Sequence, residues 1–252
     1  MPDVPRPSSE SSAASGESSG PSSESSCSSS AVETTGPTEW VTGVGPAVGV
    51  GPWAVERPGQ SPDDPRLDQE LVADGDRRNV VDDYRYWRRE AIVADLDTRR
   101  HDFHVAIENW AHDANIGTVV RTANAFLAAE VHIVGRRRWN RRGAMVTDRY
   151  QHLRHHDTVD ELMVWARQND LAVVAVDNTP GSVRLETTEL PRRCVLLFGQ
   201  EGPGVSDDAQ ARADLTVSIA QFGSTRSVNA GVAAGIVMHS WIARHADLDQ
   251  AW

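Results

Sequence analysis

The sequence predicts an α/β domain with a mostly parallel sheet flanked by helices, preceded by a disordered tail. Three observations carry this. Composition changes near residue 75, from Ser, Pro, Gly and acidic residues to an ordinary globular mixture. Beyond that point short apolar runs alternate with longer amphipathic segments, the pattern of strands joined by helical crossovers. Several of the runs end in polar or glycine-rich loops, as strands of an open parallel sheet do where they face a ligand.

Residues 1–75 open with SSESSAASGESSGPSSESSCSSS and show no sustained apolar periodicity. Trp40, Val41, Trp53 and Val55 are scattered among Gly and Pro. Such a stretch buries too little apolar surface to offset the entropy of ordering it, so it is read as a disordered tail. Residues 76–102 form a helical extension, with one helix over 82–99 that offers Tyr86, Ile92, Val93 and Leu96 to one face. The folded domain is 103–252.

Within it, 103–108 reads as a strand and 115–128 as a helix with Ile116, Val119, Val120, Ala123 and Leu127 at helical spacing. A strand over 131–134 leads into an arginine-rich loop and a short helix around 145–150. A helix over 159–168, a strand over 171–176 and a strand over 195–198 follow. An Ala- and Asp-rich helical turn precedes a short strand over 215–219. The last helix runs from Ser227 to about Arg244, and no internal repeat is visible.

The net charge of −11 belongs mostly to the tail: residues 1–75 hold 12 acidic residues and 3 Arg, against 24 acidic and 22 basic residues afterwards. The folded part is therefore near neutral, and the distribution of its charge decides whether it meets nucleic acid. Cys27 and Cys194, one in the tail and one in an apolar run, build neither a disulfide framework nor a zinc site, which suits a reducing compartment. The N-terminal MPDVPRPSSE is not a signal peptide, and no apolar run nears the ~20 residues of a membrane span. The expectation is a cytoplasmic protein with no membrane association.

Three segments carry chemistry. NIGTVVRTANAF at 115–126 follows a strand. LLFGQEGPGVSDD at 196–208 runs from a strand into a loop with Gly199, Gly202 and Gly204 around Glu201. SIAQFGSTRSVNAGVAAG at 218–235 leaves a strand, turns, and presents Ser227 and Asn229 at the last helix. Glycines at strand ends let the backbone approach a ligand, and an adenosine fits such a pocket with Leu196, Val176 and Ile219 on its faces.

A fourth feature is electrostatic. Arg136, Arg137, Arg138, Trp139, Arg141 and Arg142 interleave guanidinium groups with a ring, which suits phosphates and an unpaired base of RNA. His152, His155 and His156 lack Cys or paired acids beside them, so they are read as an RNA-facing or solvated loop, and no metal is expected. GVGPAVG at 43–49 follows no strand and opens no helix, which discounts a dinucleotide loop.

In this order and spacing the three segments resemble the three motifs of the SpoU (TrmH-like) family of RNA ribose 2′-O-methyltransferases. The resemblance covers roughly residues 103–241. It implies a SPOUT-type α/β fold with a C-terminal trefoil knot, a homodimer with active sites at the subunit interface, and S-adenosylmethionine as methyl donor. By the same resemblance Asn115, Arg121, Glu201, Ser227 and Asn229 are the catalytic set, and Val176, Gly199, Gly202, Ile219, Ser227 and Val228 contact the donor, mostly through backbone. Where the family often has Ile-Pro-Met after the third strand, this chain has Ile219, Ala220 and Gln221. The implied substrate is RNA, tRNA favoured over rRNA because no second folded RNA-binding domain is read before the motifs. Two other readings are an RNA-binding protein that kept the fold without activity, and a nucleotide-binding dehydrogenase, which lacks a strand-linked GxGxxG.

Overall fold

A computed structural model of the chain describes residues 49–111 and 114–250. The expected tail over 1–48, with Cys27, Trp40 and most of GVGPAVG, lies outside the described residues.

Seven strands form one sheet with every strand parallel to its neighbours. They are β1 (Phe103–Asn109), β2 (Val131–Gly135), β3 (Leu153–His156), β4 (Ala172–Val176), β5 (Val183–Arg184), β6 (Cys194–Phe198) and β7 (Leu215–Ser218), in the order β3-β2-β1-β6-β4-β7-β5. The strands are apolar on both sides because helices cover both faces. Along β6, Leu196 and Phe198 point into one core while Val195 and Leu197 point into the other.

The first core is closed by α4 (Ile116–Ala125) and α7 (Ala230–His245), through Ile116, Val119, Val120 and Ala123 from one helix and Ala234, Val237, Met238 and Trp241 from the other. Trp241 is fully buried, and its indole N–H donates to the carbonyls of Pro191 and Arg192 at 3.2 and 3.1 Å. The second core is closed by α5 (Val159–Gln168) and α6 (Asp207–Arg212), with Leu162, Met163, Ala166 and Ala209. The Thr158 hydroxyl, accepting from Glu161 N at 3.2 Å, starts α5 where the sequence places it.

The N-terminal boundary is corrected. Residues 49–75 are not disordered: they hold α1 (Trp53–Glu56) and α2 (Gln69–Asp74), and Val50 bridges Asp76. Trp53 and Leu67 are buried with Tyr86 in a small core of their own, the Trp53 ring standing edge-on to Tyr86 at 5.3 Å. Trp53 finds its partner, Tyr86, beyond the presumed boundary, which is why composition over 1–75 missed it.

The helix expected over 82–99 is also interrupted. A 3-10 turn (Asp82–Tyr84) gives way to an irregular stretch, and α3 spans only Arg89–Asp97. Tyr86 takes a φ of 65° and donates its hydroxyl to Gly51 O at 2.6 Å. Burying that ring against Trp53 breaks the helical path.

Further differences are local. The segment expected as a short helix near 145–150 is two 3-10 turns, Arg141–Ala144 and Thr147–Arg149. Residues 153–156, read as a loop, are strand β3, so His156 is buried; His155 meets Gly135 O at 2.7 Å and His152 meets Asp97 Oδ1 at 2.8 Å. The last helix starts at Ala230 and not at Ser227, because Asn229 is its cap: the Asn229 side-chain oxygen accepts from Gly231 N and Val232 N at 3.0 and 3.2 Å.

Candidate active site

The strand order places the site. After β3 the chain crosses to β4 and leaves a slot beside β1 that β6 fills later, and β6 then stands between β1 and β4. Such reversals open a crevice at the carboxyl ends of the strands. Val176 pairs with both Phe198 and Val217, so β4, β6 and β7 end abreast.

The loop after β6 is folded hard on itself. Gln200 and Gly204 exchange backbone hydrogen bonds at 3.1 and 3.0 Å. A Cβ at Gly199 would fall within 2.1 Å of the Gly204 and Val205 backbone, so only glycine fits there. Gly202, at the tip, holds a φ of 94°. Asp177, just after β4, accepts from Val205 N at 2.8 Å, and the Asn178 amide donates to Arg226 O. The loops after β4, β6 and β7 are thereby tied together. Val176 and Ile219 are half-buried against the core, and Val228 is half-exposed beside the Asn229 cap. Apolar side chains beside turned backbone suit the flat base of an adenosine.

Three of the expected catalytic residues meet. Glu201 Oε2 accepts from Asn115 Nδ2 at 2.8 Å, from Asn229 Nδ2 at 3.1 Å and from Ala230 N at 3.3 Å. The Asn229 amide also donates to Asn115 Oδ1 at 3.0 Å. One carboxylate thus joins the N-terminus of α4, the β6 loop and the N-terminus of α7, where the positive ends of two helix dipoles favour its charge.

Arg121 stands apart from this junction. It lies on α4, roughly 9 Å along the helix axis from Asn115, it is exposed, and among the described residues it makes no ion pair. Ser227 is exposed in the loop before the cap.

The arginine loop leaves β2 at Arg136 and returns against α4: Gly143 and Ala144 lie on Gly117 so closely that a Cβ there would fall 2.7 Å from Ala144 N. Arg136, Arg137, Arg138 and Arg142 are exposed, whereas Arg141 pairs with Asp148 at 3.1 Å. Trp139 departs from the expectation of a ring offered to a base. It is half-buried against the first core, with the Arg141 guanidinium 5.5 Å from its ring centre.

Sequence reasoning missed the residues that brace the site. Gln200 Oε1 accepts from Trp110 N and Ala111 N at 2.9 and 2.6 Å, fastening the glycine loop to the end of β1. Glu108, fully buried, accepts from Ser206 N and Oγ at 2.7 and 2.6 Å and from Trp110 Nε1 at 3.0 Å. An acid directly after the apolar stretch Val105, Ala106, Ile107 of strand β1 was the available signal.

A profile of the SpoU rRNA Methylase family matches residues 102–239, more than half of the chain. The chain belongs to this family. By the family's description it is an RNA methylase. It is 25% identical over 155 residues to the tRNA (guanosine(18)-2′-O)-methyltransferase of Escherichia coli K12, covering 60% of this chain and 68% of that one. It is 27% identical over 159 residues to the enzyme of the same name from Thermus thermophilus, covering 60% and 79%. Among solved structures, the Aquifex aeolicus TrmH/SpoU tRNA modifying enzyme superposes with a TM-score of 0.56 at 22% identity, over 62% of this chain and 82% of that one. The AviRb methyltransferase of Streptomyces viridochromogenes, in complex with AdoMet, gives 0.53 at 23%, over 60% of each chain. These likenesses show the SpoU fold, and the chain spans three fifths of AviRb.

Proposed function

We propose that the chain methylates ribose 2′-hydroxyls of RNA in the cytoplasm, with tRNA favoured over rRNA, as a homodimer whose C-terminal chain is knotted. The observation that supports this reading best is the Asn115–Glu201–Asn229 junction at the start of α4, the helix that further along carries the exposed Arg121. Support for tRNA comes from the two relatives named as tRNA enzymes. The N-terminal region lends none, because residues 49–100 are largely folded.

The turned loops at 199–204, 176–177 and 219–228 hold the donor. When bound, S-adenosylmethionine supplies a methyl group activated by its sulfonium. With a good leaving group in place, the protein's task is alignment and charge control. Asn115 and Asn229, fixed by Glu201, orient the ribose through their amides. Arg121 presents a planar guanidinium, a fork of donors with no acceptor. It acts as a cation that grips the adjacent phosphate and stabilises oxyanion character as the 2′-hydroxyl loses its proton. Arg136, Arg137, Arg138 and Arg142 draw in the RNA backbone.

The test is single-turnover methyl transfer to separated tRNA and rRNA fractions at saturating donor, with donor affinity measured by calorimetry. Arg121→Ala should lower the rate by about 10²–10³-fold and leave donor affinity intact. Arg121→Lys should recover part of it, supplying charge without the fork. Full activity in Arg121→Ala would remove Arg121 from the site. A wild-type chain that binds donor and RNA without transfer would identify a binding protein that kept the fold.

A further inference from the structure

Away from the methyl-transfer centre, toward the N-terminal ends of β1 and β2, lies a second cluster of chemistry-bearing residues. His104 is the second residue of β1, His132 the second of β2, and His156 closes β3. The register sets Ala106 beside His132 and His132 beside Arg154. Alternation along the strands then puts His104, Glu130, His132, Arg154 and His156 on the face covered by α5. The Trp165 ring from α5 lies over them, 4.3 Å from the His132 ring and 5.1 Å from that of His104.

His104 Nδ1 stands 3.2 Å from His132 Nε2, and Glu130 Oε2 stands 3.8 Å from the same nitrogen. One donor atom from each residue lies within 4.8 Å of the others. We propose that His104, His132 and Glu130 bind a divalent transition-metal ion of the zinc type, in a structural site separate from the methyl-transfer centre.

Two observations converge. Bonds of about 2.0–2.1 Å in a tetrahedral site put donor atoms about 3.3 Å apart, so the two separations to His132 Nε2, 3.2 and 3.8 Å, need sub-ångström adjustment, and the third, within 4.8 Å, needs at most about 1.5 Å. Next, His132 Nδ1 is 2.9 Å from His156 Nε2. With that N–H donated to His156, Nε2 turns its lone pair toward His104 and Glu130, the outer-partner arrangement that orients ligating histidines. A groove of about 440 Å³ is lined by Arg154, His156 and Trp165, which flank the cluster, and by Glu161. Arg154 Nε holds Glu130 Oε2 at 3.0 Å and competes with the ion for that charge.

The experiment is titration of the metal-stripped full-length chain with Co²⁺, read by its visible d–d absorption and reversed by Zn²⁺. One equivalent should bind with the intensity of a four- or five-coordinate ion. His104→Gln and Glu130→Gln, both at half-buried positions, should weaken binding by at least about tenfold. Arg154→Gln should tighten it. Zn²⁺ should raise the thermal midpoint of the wild type and not that of His104→Gln. A folded wild-type chain without saturable uptake, or equal uptake by His104→Gln, overturns the proposal and leaves a hydrogen-bonded chain of imidazoles.

Discussion

Asp76 is fully buried and bears a charge, and it keeps that charge through four donors. Arg78 gives its Nε and Nη2 at 2.9 and 2.6 Å and its backbone N at 3.0 Å, and Tyr86 N adds a bond at 2.9 Å. Burial raises the carboxyl, but these bonds together outweigh it and leave the group below the usual carboxylate range. A depressed carboxylate contributes stability that is complete above its unfolded pKa of about 3.9 and is lost as pH falls through the folded value. Asp76→Asn should therefore cost about 3 kcal/mol at neutral pH, the lower end for breaking a buried pair, since Arg78 is partly exposed. The gap from the wild type should narrow as pH drops below about 4. Urea unfolding of both proteins across that range is the check, and a gap that does not change with pH would deny Asp76 its charge.

Among elements, legibility followed local pattern. Helix α5 was readable to the residue, because apolar spacing and the Thr158 cap both lie within its own sequence. Strand β3, LRHH, has one apolar residue, and β5 has two residues in all; their pairing comes from β2 and β7, which no local window contains. The site divides in the same way. Asn115, Glu201 and Asn229 were visible as polar residues at strand ends, but their shared hydrogen bonds span up to 114 positions of sequence. Gln200 and Glu108 were missed because their partners are backbone amides and a serine brought in by folding.

The seat of the arginine loop on α4 is an element-scale contact with a test. At Gly117 an added Cβ would meet Ala144 N and Gly143 Cα at 2.7 Å, both backbone atoms that cannot swing aside. Gly117→Ala should cost about 1–3 kcal/mol, as overpacking does. It should also weaken RNA binding while donor affinity holds, because the loops at 199–204 and 219–228 are untouched. RNA affinity equal to wild type would show that the loop's seat on α4 does not govern how its arginines are presented.

For the whole molecule, the corrected boundary changes what can be cut away. A chain beginning at residue 49 keeps Trp53 and Leu67 and with them the small N-terminal core. Beginning at 76 removes both, leaves the Tyr86 ring uncovered, and should lower stability by about 3–5 kcal/mol, as loss of a large buried aromatic does. Thermal unfolding of the two truncations separates the outcomes, and equal midpoints would make the small N-terminal core an ornament. The strand order has a consequence in time. On the ribosome β1 emerges about 90 residues before β6, its neighbour at the centre of the sheet, a delay on the order of 5–20 s at ordinary elongation rates. Throughout that interval the apolar inner edge of β1 has no partner, so the nascent chain is a client for chaperones until its sixth strand is made.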